Sequence, residues 1–348
     1  MAQEDNLGDI EIREKLFHSI ASTGIGILAF RGTSSDSYIE AFSDADNCRW
    51  FKSAASLQMT ILARVLRGER LHFFMAPGPA GFSSKPRAIA KSTVNFANMA
   101  LARISGGTAH IVGRAYRGSG VTRLIEIASI KLTTSATVRD GISSENVNGR
   151  AKALPDLAFF GEPYLKGERR YLAISVREEN DLKETAFGEL IAAARSLELV
   201  PIFVTQVKRD NSWMKRMAIR YETEIVEWTN ASHQEQKSKV EAVYRASNAV
   251  ISNRLHGLIM GAMAGAQPVP IISKGNTKLL PTLSIVFPDV PAIAANYIPQ
   301  VDAHALESIM SKWKESDHAS RLKTANRLLK QHFEHMNSPF SSTRSKPR

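Results

Sequence analysis

Ser252-Asn253-Arg254-Leu255-His256-Gly257 places an arginine and a histidine where a short apolar run, Ala249-Val250-Ile251, hands over to a helix of small residues. A strand-to-helix turn of this kind binds anions, because unpaired backbone N–H groups and the helix dipole both favour negative charge. From Ser252 to Pro288 there is no Asp or Glu, while Arg254, Lys274 and Lys278 are all present. Such a turn suits a phosphate or carboxylate, which arginine's planar fork meets with paired hydrogen bonds. His256 could exchange a proton near neutral pH, or simply pack and donate to a carbonyl.

Two other segments place polar residues at element boundaries. Asn6-Leu7-Gly8-Asp9 precedes a helical pattern in which Ile12, Leu16 and Ile20 share a face; its plain structural reading is a helix cap. Ser175-Val176-Arg177-Glu178 delivers an arginine from a strand to a loop, with a surface ion pair as its plain reading. Gly257, Gly261, Ala264 and Gly265 leave the helix after Arg254 little bulk, which permits close approach to a sheet or to a ligand. Other signals fail. Pro77-Gly78-Pro79-Ala80-Gly81 lacks the Gly-Lys-Ser/Thr of a phosphate loop, and Gly118-Ser119-Gly120 lacks the rest of a dinucleotide fingerprint. His332 and His335 read as surface histidines rather than metal ligands.

The elements that must position these residues alternate. Strands are expected at 26–30, 71–75, 109–113, 135–138, 171–176, 200–205, 249–251 and 269–272. Helices are expected at 10–20, 54–66, 96–104, 123–132, 184–197, 237–246 and through 303–336. This pattern predicts α/β architecture: two doubly wound, Rossmann-like domains with a cleft between them. Pro155, Gly161, Pro163 and Gly167 mark the boundary. The reading is 1–160 as an N-terminal domain, 161–302 as a C-terminal domain, 303–337 as a helical region and 338–348 as a disordered basic tail.

Composition narrows the class. A 43% hydrophobic, 23% charged chain of 348 residues buries a sizeable core and is not disordered. One cysteine, Cys48, excludes an internal disulfide framework and fits a reducing compartment. With no signal peptide or membrane span expected, the reading is cytoplasmic. The net charge of +11 suits an acidic glycan or an anionic membrane surface. Nucleic acid is not an expected partner, because cations are not interleaved with aromatics.

The chain resembles the polysaccharide pyruvyl transferases in ordered motifs over residues 6–290. Asn6-Leu7-Gly8-Asp9 resembles the family's Asn-x-Gly-Asp, and Ala76-Pro77-Gly78-Pro79 its glycine-rich turn, with only Gly78 kept. Arg139-Asp140-Gly141-Ile142-Ser143 resembles Arg-Asp-x-x-Ser, and Pro155-Asp156-Leu157-Ala158-Phe159 resembles Pro-Asp-x-Ala-Phe. Ser175-Val176-Arg177 opens the second domain. Ser252 to His256, followed by Gly265-Ala266-Gln267-Pro268 and Lys278, resembles the most specific signature.

The resemblance implies a GT-B-like fold and transfer of pyruvate from phosphoenolpyruvate to two sugar hydroxyls as a cyclic ketal. The first domain would face the acceptor and the second the donor, with no metal or cofactor. It implies that Arg177, Arg254, Leu255 and His256 hold the donor, with Lys278 adding charge. His256 is the expected acid and Asp9 the expected base, with Asn6 and Gly8 in the substrate site. The acceptor would be a surface or extracellular polysaccharide or its lipid-linked precursor, with peripheral contact at the inner membrane surface. Family members have a strand and a glycine turn before Asn-x-Gly-Asp, whereas five residues precede Asn6, so that either the start is internal or the first strand is lost. The alternatives are a GT-B glycosyltransferase using a nucleotide sugar, or a non-catalytic family member.

Overall fold

The computed structural model describes residues 4–42, 47–274, 278–312 and 315–341. The first elements are α1 (Leu7–Ala21), β1 (Ile27–Phe30), α2 (Asp36–Glu40), β2 (Cys48–Phe51), α3 (Ala54–Leu66), β3 (Phe73–Met75) and β4 (Gly78–Phe82). Next come α4 (Pro86–Ile104), β5 (Ala109–Gly118), α5 (Thr122–Leu132), β6 (Ser135–Val138), α6 (Gly141–Asn146) and β7 (Lys152–Ala153). The second half holds β8 (Tyr171–Ser175), α7 (Gly188–Ser196), β9 (Val200–Val204), α8 (Asn211–Tyr221), β10 (Glu224–Val226), α9 (His233–Arg245) and β11 (Ser247–Ser252). It ends with α10 (Leu255–Met263), β12 (Gln267–Ile272), α11 (Leu279–Leu283), β13 (Ile293–Ala294), α12 (Ala303–Ser311) and α13 (Glu315–Ser341). Every strand pairing is parallel, as alternation with helices requires.

Two compact units result: Met1–Glu11 with Ala158–Arg327, and Ile12–Leu157 with Leu328–Arg348. The expected boundary is near 160 and this division falls at 157/158, with both termini crossing it. The expected 1–160 domain loses its start: Leu7 N–H donates to Gln206 O at 3.2 Å, Lys208 N–H donates to Asp5 O at 2.8 Å, and Asn6 bridges Val207. Leu7 and Ile10 are buried there. The 303–337 region is not a module of its own, since α12 packs on α7 and sinks Leu306 into that unit's core. The tail expected from Ser338 begins as helix: α13 runs to Ser341, with Phe340 buried against His72 and Phe74. Residues 342–348 lie outside the described residues.

In the Ile12–Leu157 unit, β5 carries β3 and β4 in turn along one side and β6 then β7 on the other. Met75, Phe82, Met99, Ile111, Tyr116 and Val138 form its core. The Ala76–Pro79 segment is less a turn than a strand start, for Gly78 (φ 118°) and Pro79 open β4. In the other unit the sheet order is β10-β9-β8-β11-β12-β13. Counted from its own first strand this is 3-2-1-4-5-6, the doubly wound order whose winding reverses between β8 and β11. α8 escaped the sequence reading because Lys215, Arg216 and Arg220 mask its apolar spacing. Trp213, Met214, Met217 and Ala218 nonetheless share its buried face.

Candidate functional site

Ligands of open α/β sheets bind beyond the carboxyl ends of the strands where the winding reverses. Here that place is the exit of β8 and β11, and Ser175-Val176-Arg177 and Ser252-Asn253-Arg254 leave it side by side. Asn253 ties them together. Its Oδ1 accepts from the Arg177 N–H at 2.8 Å, and its Nδ2 donates to Arg177 O at 2.9 Å. Ser252 Oγ donates to Ser175 O and accepts from the Arg254 N–H. Two segments 77 residues apart in sequence are thereby locked into one corner.

A cavity of about 370 Å³ opens at that corner, lined by Arg177, Glu178, Arg209, Asp210, Trp213 and Arg254. Three arginines face two carboxylates. Arg254 Nη2 lies 2.6 and 2.5 Å from the two oxygens of Asp210. Arg177 pairs with Glu179, and Arg209 pairs with Asp5 at 2.9 Å. Burial raises the Asp210 pKa against the pull of Arg254, and burial lowers that of Arg254 against the pull of Asp210.

Asp210 corrects the sequence reading. The stretch around Arg254 carries no acid, but the start of α8 supplies one from 44 residues away. The plain reading of Arg177 as an ion-pair member also holds, with Glu179 as partner. Asp210 was missed because it follows Lys208-Arg209 in what reads as a charged surface run.

The other expected residues sit behind the cavity or apart from it. Asn6 is the cap of α1, its Oδ1 accepting from the Gly8 N–H at 3.1 Å. Gly8 lies against the side chain of His256, so a Cβ there would overlap that imidazole. His256, 8% exposed, and Asp9, 7% exposed, are therefore interior groups, and neither lines the cavity. Leu255 opens α10, whose N-cap residue, Arg254, makes no side-chain capping bond. Lys278 is exposed at the start of α11, outside the cavity lining.

The small residues of α10 serve the sheet. A Cβ at Gly261 would stand 2.5 Å from Val250 Cγ2, and one at Gly257 3.0 Å from Gln206 Oε1.

Two motifs of the first half meet each other rather than this site. Arg139 pairs with Asp156 at 3.2 Å, both buried. Asp140 caps α6 through the Ser143 N–H (2.7 Å) and pairs with Arg117 (2.7 Å). His332 is no surface histidine: it is half-buried, and burial pushes its pKa down to about 4. Among the described residues no group of three or more His, Cys, Asp or Glu could hold a metal ion, and no helix is long and apolar enough to cross a membrane.

No family model and no curated protein sequence matches the chain. Solved structures do. A UDP-GlcNAc 2-epimerase from Neisseria meningitidis, bound to UDP-GlcNAc, is similar over 90% of this chain and 91% of its own, at 8% identity and a TM-score of 0.54. A glycosyltransferase from Rickettsia africae is similar over 94% of both chains, at 11% identity and a TM-score of 0.53. The UDP-GlcNAc 2-epimerase from Methanocaldococcus jannaschii is similar over 92% of this chain and 95% of its own, at 9% identity and a TM-score of 0.52. With the parallel sheets and the winding order, these likenesses establish the fold class: α/β, two Rossmann-like domains, GT-B-like.

Proposed function

We propose that the chain is a transferase of glycan assembly that seats a phosphorylated donor on Arg177 and Arg254, and that this donor is phosphoenolpyruvate. One observation carries the reading. Three sequence-distant motifs of the pyruvyl transferase resemblance converge at the exit of β8 and β11: the Gly8 turn backs His256, and Asn253 binds Arg177. A fold alone hosts many chemistries, so the site has to decide.

Phosphoenolpyruvate brings a carboxylate and a phosphate to a corner with three arginines. Arg254 would exchange Asp210 for the phosphate, and Arg177 would exchange Glu179 for the carboxylate. In the reaction C3 of the enol takes a proton, a sugar hydroxyl attacks C2, phosphate departs and a second hydroxyl closes the ketal ring. Asp210 lines the cavity and has a raised pKa, which places it better to protonate C3 than the expected acid His256, packed under Gly8. Asp9, interior and outside the cavity lining like His256, is set aside as the base on the same ground.

A nucleotide sugar is the second reading, and it is the one the structural neighbours favour, since one of them is bound to UDP-GlcNAc. The same arginines would meet a diphosphate. Against it, no Asp or Glu lies between Ser252 and Pro288 to hold the ribose hydroxyls.

Calorimetric titration with phosphoenolpyruvate and with UDP-GlcNAc, on wild type and Arg254→Ala, separates the readings. Saturable binding of phosphoenolpyruvate that the variant loses is expected. With an acceptor in hand, kcat/KM should fall by on the order of 10²–10³ in the variant, as for loss of a charge-stabilising donor. Binding of the nucleotide sugar alone reverses the order of the two readings. Binding of neither by folded protein leaves the non-catalytic alternative.

A further inference from the structure

The positive charge of the chain is not spread evenly. Residues 47–125 hold twelve Lys or Arg against one acid, Glu69, an excess equal to the +11 of the whole chain. That single acid is held by Arg64 at 3.1 Å.

Within this stretch α3 is unusual. It has 13 residues, none of them acidic, and none of its side chains is buried. Met59, Leu62 and Leu66 follow one another at helical spacing along one face and are 67%, 41% and 79% exposed. Ile104, which ends α4, is 77% exposed. The segments that follow the two helices are neighbours, since a Cβ at Gly106 would stand 3.9 Å from Arg70 Nε, and one at Gly107 would overlap Leu71 O. Leu66 and Ile104 therefore end adjacent helices. Exposed Arg67 and Arg70 follow the stripe in the chain, and exposed Lys52 precedes α3, within electrostatic reach of Asp36.

Single exposed apolar residues are ordinary, but an apolar stripe fringed by cations marks an interaction surface. The one-sided charge selects the partner. A protein partner of mixed surface charge would leave these cations poorly matched, whereas an anionic bilayer offers acyl chains beneath a layer of phosphates. Thirteen residues are too few to span a bilayer, which needs about 20, and suit a helix lying in the interface.

We propose that α3 and Ile104 form a docking face for an anionic phospholipid surface. Met59, Leu62, Leu66 and Ile104 enter the acyl boundary, and Lys52, Arg67 and Arg70 meet the phosphates. The proposal goes beyond the reaction and stands whichever donor is used.

Co-sedimentation of the full chain with phosphatidylcholine vesicles, with and without phosphatidylglycerol, tests it in the absence of any donor. Binding to the anionic vesicles, weakening as salt rises, is expected. Leu62→Glu with Leu66→Glu should cut partitioning by about tenfold or more, and Arg67→Glu with Arg70→Glu should remove the preference for anionic lipid, both at unchanged Tm. Failure to bind anionic vesicles, or equal binding by both double variants, overturns the proposal. So does a wild-type dimer that the leucine variants dissociate, which would assign the face to a second copy of the chain.

Discussion

Arg254 reads as a free cation in the sequence and is a partnered one in the structure. Its guanidinium and the Asp210 carboxylate are both largely removed from water, so each depends on the other. Arg254→Ala therefore does two things: it removes the anion anchor and strands a buried carboxylate. Asp210→Asn keeps the shape while taking away the titrating group. If Asp210 supplies the proton, this variant loses most of its turnover, and the residual rate no longer falls on the alkaline side of the pH–rate profile, while donor binding is retained. Retained turnover with an unchanged profile would return the role to His256. Gly8 makes a separate residue-scale prediction. A Cβ there meets the His256 side chain, so Gly8→Ala should cost about 1–3 kcal/mol of stability, read from the urea midpoint. An unchanged midpoint would mean that α1 shifts freely on α10.

At the scale of elements, the resemblance motifs divide into two kinds. Those at 175–177 and 252–256 build the corner, whereas Arg139 and Asp156 of the other two tie the Ile12–Leu157 unit together. Arg139 follows β6 and Asp156 follows β7, so their ion pair ties adjacent strand ends. Breaking it leaves a buried charge without its partner. Arg139→Ala should lower stability by about 3–5 kcal/mol in denaturant unfolding. A loss below about 1 kcal/mol would show that water reaches the pair. The small residues of α10 belong to this scale as well. Their spacing left open whether a sheet or a ligand came close, and Val250 beneath Gly261 answers for the sheet.

For the molecule as a whole, buried histidines set the response to acid. Burial first, and then neighbouring histidines, push His110 down to about 3; burial pushes His318 and His332 down to about 4. These groups are neutral in the fold and take up a proton near 6.5 when unfolded. Their contribution is complete above pH 6.5 and is lost as pH falls towards 4 and 3, by up to about 1.4 kcal/mol per pH unit for each histidine. The Tm should drop on going from pH 7 to pH 5, with a shallower slope for His110→Gln/His332→Gln; a flat profile would contradict this.

The sequence by itself determined the α/β class, most of the strands and the arginines at two strand exits. These follow from local periodicity and from residue types that chain neighbours can position. Only the tertiary structure decided that Asp210 faces Arg254, that Gly8 lies on His256, and that residues 4–11 join the second half. Each of those is a contact between segments tens to hundreds of residues apart, and it exists only once the sheet has wound and burial has chosen which side chains meet.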